Sequence, residues 1–233
     1  MAAEQHLTTK GAGLVLLLAF VAAGCGGRGT TDVTFRTSDG FTLEGRLFGH
    51  GAKAVILAHM FESDQSSWSG FASDLSEDGY AVLTFNFRGY GKSQGSKDIA
   101  SMHRDVSGAI KFMSETHDAD RIVLIGASMG GTASLIAADN AELSVATLSA
   151  PVSFKGLDAG DHLAGIGGPK LFIAADGDSD ASKSARELFR RAGDPQAGLE
   201  LLIGDAHGTA LLDSKQSAKV VQLLKSFIAK NTK

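Results

Sequence analysis

Arg121-Ile122-Val123-Leu124-Ile125-Gly126-Ala127-Ser128-Met129-Gly130-Gly131 is the stretch whose reading decides the fold. Its first half is a short apolar run rich in β-branched residues, the pattern of a strand buried on both faces. Its second half is Gly-x-Ser-x-Gly, followed by a segment with the composition of a helix that holds Leu135 and Ala138. A chain passing from strand to helix within a few residues must turn sharply and crowd its neighbours. Glycines two before and two after the serine remove the side chains that would clash there. Such a turn lifts the Ser128 hydroxyl to the C-terminal edge of the sheet, where open α/β sheets bind ligands. It also sets that hydroxyl beside a helix N-terminus, whose positive end favours developing negative charge. A bare Gly-x-Ser-x-Gly also occurs in ordinary glycine-rich turns, and the strand before it and helix after it give it weight. Ser128 is the candidate nucleophile.

Outward from this turn, strand and helix patterns alternate. Residues 33–36 and 41–48 read as two strands around Ser38-Asp39-Gly40, a hairpin signal. Residues 54–58, 81–87, 121–126, 143–148, 170–174 and 199–203 read as further strands, mostly continuous apolar runs. Helical spacing appears over 66–77, with Trp68, Phe71 and Leu75 on one side, and over 99–116, with Val106, Ile110 and Met113. It returns over 181–192 and over 211–229, where Val220, Leu223, Leu224 and Ile228 form a stripe. Residues 151–168 read as irregular. Repeated β–α units predict an α/β fold: a mostly parallel central sheet with an N-terminal antiparallel hairpin and helices on both faces. There is no internal repeat and no low-complexity segment.

With these motifs in place, the chain resembles the α/β-hydrolase family over roughly residues 33–228. The family's strand ending in His-Gly-x is matched by Val55-Ile56-Leu57-Ala58-His59-Met60-Phe61, with Met60 where the family usually has Gly. The resemblance implies an oxyanion hole built from the backbone N–H groups of Phe61 and Met129, with His59 bracing the loop. Asn86-Phe87-Arg88-Gly89-Tyr90-Gly91-Lys92-Ser93 resembles the family's structural Asp-x-Arg-Gly-x-Gly-x-Ser segment, with Asn86 in place of Asp. The family's base lies in a loop after the last strand, and of seven histidines His207 has that setting. The acid follows the preceding strand, where Asp176, Asp178 and Asp180 are available; the family's spacing points to Asp178 and leaves the other two as alternatives. The order Ser, Asp, His is that of α/β-hydrolases.

The resemblance therefore implies a serine hydrolase that cleaves carboxylic esters or thioesters through an acyl-enzyme, with no metal or cofactor. Peptide or amide cleavage and acyl transfer use the same three residues. A fold of this kind can also serve as a non-catalytic binding module. Relatives often insert a helical lid after the sixth strand. The short Gly- and Ala-rich stretch here predicts an open site, suited to small acyl esters.

A chain of 233 residues fits one catalytic domain, at 32–233. Net charge is −4, so the basic excess of a nucleic-acid binder is missing. Lys10 precedes the apolar run from Leu14 to Ala23, too short to span a bilayer and in the order of a secretory signal. Ala22-Ala23-Gly24-Cys25 resembles the lipobox of bacterial lipoproteins, with Ala22 where Leu is usual. That likeness implies a signal peptide over 1–24, lipid attachment at Cys25 (the chain's one cysteine), and a tether over 25–31. The expected location is the bacterial cell envelope, held to a membrane by lipid. Plain secretion after cleavage near Ala23 is the alternative.

Overall fold

In the computed structural model, residues 29–116, 119 and 121–232 are described; the expected signal peptide over 1–24 and the expected lipid attachment at Cys25 lie outside them. The sheet begins with an antiparallel hairpin, β1 (Thr30–Arg36) and β2 (Thr42–Phe48), around the turn that holds Asp39 and Gly40. β1 takes up Thr30 and Thr31, which the sequence reading leaves in the tether. There follow β3 (Lys53–Ala58), α1 (Ser69–Glu77), β4 (Ala81–Phe85), α2 (His103–Thr116), β5 (Arg121–Ala127), α3 (Met129–Ala137) and β6 (Ser144–Leu148). A two-residue-strand hairpin, β7 (Ser153–Phe154) and β8 (Leu157–Asp158), comes next. β9 (Lys170–Ala175), α4 (Ser179–Ala192), β10 (Gly198–Leu202) and α5 (Ser217–Asn231) close the chain. The eight long strands lie in the order β1-β2-β4-β3-β5-β6-β9-β10. Pairing is parallel from β4 through β10 and antiparallel in the two contacts of β2.

The period-two alternation of a strand explains why both faces are covered. In β3, Ala54, Ile56 and Ala58 pack with residues of α2, α3 and α4, such as Val106, Met113, Ala133 and Leu188. Val55 and Leu57 pack on the other face, against Trp68, Phe71 and Leu75 and against Val220, Leu224 and Ile228 of α5. Each such Val, Leu or Ile side chain, fully buried, contributes roughly 1.5–3 kcal/mol.

Three expected helices begin later than their apolar spacing suggests. Residues 65–68, 99–101 and 208–213 are 3₁₀ turns leading into α1, α2 and α5. At the first, Asp64 caps the turn by accepting from the Ser66 N–H at 2.7 Å. Before α5, Ser214 adopts an extended conformation (ψ 173°) that ends the turn. β4 stops at Phe85, two residues early, because Phe85 pairs with Ala58, the last residue of β3.

Polar contacts at Arg88 and Asn86 help tie the hairpin to the body. Arg88, buried, gives Nε and Nη2 to Asp105 of α2 at 2.9 and 2.6 Å, and Nη1 to Asp39 at 2.8 Å. The Arg88 hydrogen bond holds the Asp39 carboxyl well below the usual carboxylate range, whereas burial pushes Asp105 up. Removing Arg88 would leave the buried Asp105 charge uncompensated. The Asn86 amide donates to Glu44 Oε1 at 2.7 Å and its carbonyl accepts from Gln65 N–H at 2.8 Å. A carboxylate at position 86 would face Glu44, which accounts for Asn86 where the resembling family has Asp.

Candidate active site

Ser128 sits at φ 47°, ψ −118°, between β5 and α3. This backbone conformation is costly for a residue with a side chain and persists only where its surroundings hold it. The Ser128 N–H donates to the Leu148 carbonyl at 2.8 Å, and the Ser128 carbonyl accepts from Gly131 and Thr132 at 2.9 and 3.1 Å. The flanking glycines are required by distance. A β-carbon on Gly126 would lie 2.4 Å from the Gly130 carbonyl oxygen, and one on Gly130 would lie 2.5 Å from those of Ala58 and His59. The close approach at Gly130 also presses the start of α3 against the end of β3.

His207 and Asp178 arrive from the neighbouring strand ends. His207 follows β10 and Asp178 follows β9, and these two strands pair in parallel. His207 Nε2 lies 2.8 Å from Ser128 Oγ, and His207 Nδ1 lies 2.5 Å from Asp178 Oδ2. A carboxylate only accepts, so Nδ1 carries the proton and Nε2 is left to accept from the serine hydroxyl. Ser128 and Asp178 are largely buried, whereas the His207 side chain is 47% exposed. Asp178 also caps α4, accepting from Ala181 N–H at 3.4 Å. Of the two alternatives, Asp176 accepts from Gly204 N–H at 3.2 Å and so braces the two loops, and Asp180 lies in the first turn of α4. The structure therefore brings Ser128, His207 and Asp178 together and leaves the other aspartates out.

Phe61 lies three residues beyond β3, and Met129 opens α3. Because β3 and β5 pair with Ala58 opposite Gly126, both amides stand at the same sheet edge as the serine. Neither N–H donates to a protein acceptor among the described residues. His59 is fully buried: Nδ1 donates to the Met60 carbonyl at 2.8 Å, and Nε2 accepts from Phe87 N–H at 3.2 Å. Burial lowers its pKa to about 4, so it stands neutral, edge-on to Phe87 and Tyr90. No three His, Cys, Asp or Glu side chains converge as a metal site would require among the described residues.

Sequence reasoning missed two features of the rim. Met60 packs across Gly208, beside His207, with its sulfur 3.9 Å from Thr209 Oγ1. The β7–β8 hairpin, in a stretch read as irregular, brings Phe154 edge-on to Phe61, with ring centroids 5.4 Å apart. The available signal is Lys155-Gly156 between the apolar residues Phe154 and Leu157, a short hairpin turn.

The family model described as the alpha/beta hydrolase fold matches residues 53–227, the span that carries the elbow, the aspartate loop and His207. The chain belongs to the α/β-hydrolase family. Among α/β-hydrolases of known structure, an esterase of Pyrococcus furiosus superposes with a TM-score of 0.77 at 19% identity, covering 88% of this chain and 92% of that one. A dienelactone hydrolase of Anabaena variabilis superposes with a TM-score of 0.74 at 18% identity, covering 88% and 99%. These likenesses speak to the fold. In sequence, the uncharacterised protein YfhR of Escherichia coli K12 is 31% identical over 108 residues, 42% of this chain and 38% of its own length. An uncharacterised protein of Mycobacterium tuberculosis H37Rv is 32% identical over 105 residues, 42% and 37%. The chain thus spans little over a third of the length of the curated relatives it matches.

Proposed function

We propose that this α/β-hydrolase is a serine hydrolase that cleaves carboxylic esters or thioesters by way of an acyl-enzyme. The reading rests on one observation: a serine in a strained strand–helix elbow, 2.8 Å from an imidazole that is itself 2.5 Å from a carboxylate. Ser128 Oγ attacks the ester carbonyl carbon while His207 Nε2 takes the hydroxyl proton. The carbonyl π pair moves onto oxygen, and the Phe61 and Met129 N–H groups receive that charge; one such donor typically contributes about 10²–10³ in rate. The tetrahedral intermediate collapses, the C–O bond to the alcohol breaks, and His207 returns the proton to the departing oxygen. Water then repeats the sequence on the acyl-enzyme, releasing the acid and restoring Ser128. Asp178 keeps the imidazole oriented and favours its protonated form throughout.

The half-exposed His207 and the short segment between β6 and β9 favour small, soluble acyl groups over long-chain lipids. The names of the structural neighbours, esterases and a dienelactone hydrolase, are in keeping with hydrolysis of an ester. We further propose that lipid at Cys25 holds the domain at a membrane surface.

Ser128→Ala tests the reading. Ester turnover should fall by on the order of 10⁶, and labelling by a fluorophosphonate probe should vanish, with the folded state kept. Ester hydrolysis by Ser128→Ala within about tenfold of wild type would overturn it. A wild-type chain that the probe never labels would point instead to a binding module on the same fold.

A further inference from the structure

The loop between β6 and β9 does more than leave the site open. Lys155 (φ 46°) and Gly156 (φ 95°) are the two central residues of the β7–β8 hairpin. Positive φ at both is the tight turn whose twist matches its strands, so the backbone at Lys155 is fixed. The hairpin is fixed from three sides. Leu157 is buried, Thr132 Oγ1 of α3 donates to the Pro151 carbonyl at 2.7 Å, and a β-carbon on Gly156 would meet Ala100 Cβ at 2.8 Å.

From this mount the Lys155 ammonium reaches over the Phe61 ring, 4.4 Å from its centroid, and stands 5.7 Å from the centroid of Phe154. Phe61 is the residue whose amide is proposed to bind the oxyanion, so the ammonium packs on the side chain of a residue of the proposed site. No Asp or Glu among the described residues lies within ion-pair distance of it. A solvent-exposed cation that lies over an aromatic ring of the proposed ester site, short of an anionic partner, is arranged to receive an anion from the substrate.

We propose that Lys155 is a specificity-determining residue that selects esters carrying a carboxylate, such as the monoester of a short dicarboxylic acid. This rests on Ser128 being the nucleophile. The Phe61 and Phe154 rings supply the apolar wall for the methylenes between the two groups. Lys155 supplies the charge at its far end.

The test compares kcat/KM for a butyrate ester, the hemisuccinate ester of the same alcohol, and a butyrate ester whose alcohol part bears a carboxylate. The ratio of charged to neutral ester is read because it cancels changes common to both. Lys155→Gln should lower the hemisuccinate ratio about tenfold and Lys155→Glu should lower it further. Lys155→Arg should keep it. Added salt should shrink the ratio in wild type more than in Lys155→Gln, since an exposed charge is screened. A drop confined to the alcohol-side ester would place the selected carboxylate on the leaving group. Succinate should slow fluorophosphonate labelling of Ser128 more than butyrate does in wild type, and equally in Lys155→Gln; this readout needs no turnover. An unchanged ratio and unchanged protection in Lys155→Gln would overturn the role of Lys155 while an inactive Ser128→Ala leaves the serine reading standing. An active Ser128→Ala would remove both.

Discussion

Met60 Sδ fills the space in front of Gly208: a β-carbon on Gly208 would come within 2.6 Å of it. This contact joins the loop after β3, which holds the Phe61 amide, to the loop that holds His207. Thr209 Oγ1, at 3.9 Å from the same sulfur, reinforces it. Gly208 also sits at φ 58°, where a side chain costs about 1–2 kcal/mol. Gly208→Ala should therefore shift His207 and lower kcat/KM for an ester by about tenfold or more. Part of that loss is steric and part conformational. Met60→Ala in the Gly208→Ala background should recover the steric part, giving a double variant better than the two single losses combined. Strict additivity across wild type, both single variants and the double variant would show that the two loops do not act on each other.

The three aspartates after β9 differ in what they touch, and their substitutions should differ accordingly. Asp178→Asn removes the acceptor that fixes the His207 tautomer, and turnover should fall by roughly 10⁴. Asp176→Asn keeps an oxygen for the Gly204 N–H and should stay within a few-fold of wild type. Steady-state rates for both variants on one ester decide the matter. A crippled Asp176→Asn beside an active Asp178→Asn would contradict the proposed role of Asp178.

His59 gives the fold a pH dependence of known sign. Burial holds its pKa at about 4, below the 6.5 of a free imidazole. Between those values the unfolded chain binds a proton that the folded chain excludes, so stability falls as pH drops. The contribution is fully present above pH 6.5 and has been lost once pH passes below about 4. Its size is on the order of 3 kcal/mol. Urea unfolding of wild type and His59→Gln at pH 7, 5.5 and 4 isolates it. The variant should start less stable but lose less on acidification. Equal slopes for the two proteins would show that His59 does not exclude the proton.

The lipid anchor proposed at Cys25 predicts a change of compartment without a change of chemistry. Wild type should fractionate with membranes and carry a lipid mass increment. Cys25→Ser should appear in the soluble fraction with unchanged kcat/KM on a soluble ester. Stable anchoring needs more than one acyl chain, as such a modification supplies. Unmodified wild-type protein found wholly in the soluble fraction would leave plain secretion as the better account. No helix among the described residues is long and apolar enough to cross a membrane.

What the amino-acid sequence determined by itself is whatever local geometry encodes. The Ser128 elbow was legible because Gly-x-Ser-x-Gly between an apolar run and a helical segment is a local pattern, and a β-carbon on Gly126 would meet Gly130 four residues on. The strands were legible because burial on two faces leaves a continuous apolar run, as in β3 and β5. Tertiary structure alone decided what depends on separate segments meeting. His207 lies 79 residues from Ser128 and 29 from Asp178, and only the parallel order β5-β6-β9-β10 sets their loops side by side. That meeting sets Asp178, the aspartate to which the family's spacing points, against His207 and leaves Asp176 and Asp180 out of it. The same holds for Met60 against Gly208 and for Lys155 over Phe61. Each pairs loops from different strand ends, and no periodicity within either loop reports the partner, because side-chain contact across the sheet edge is a property of the packed strands.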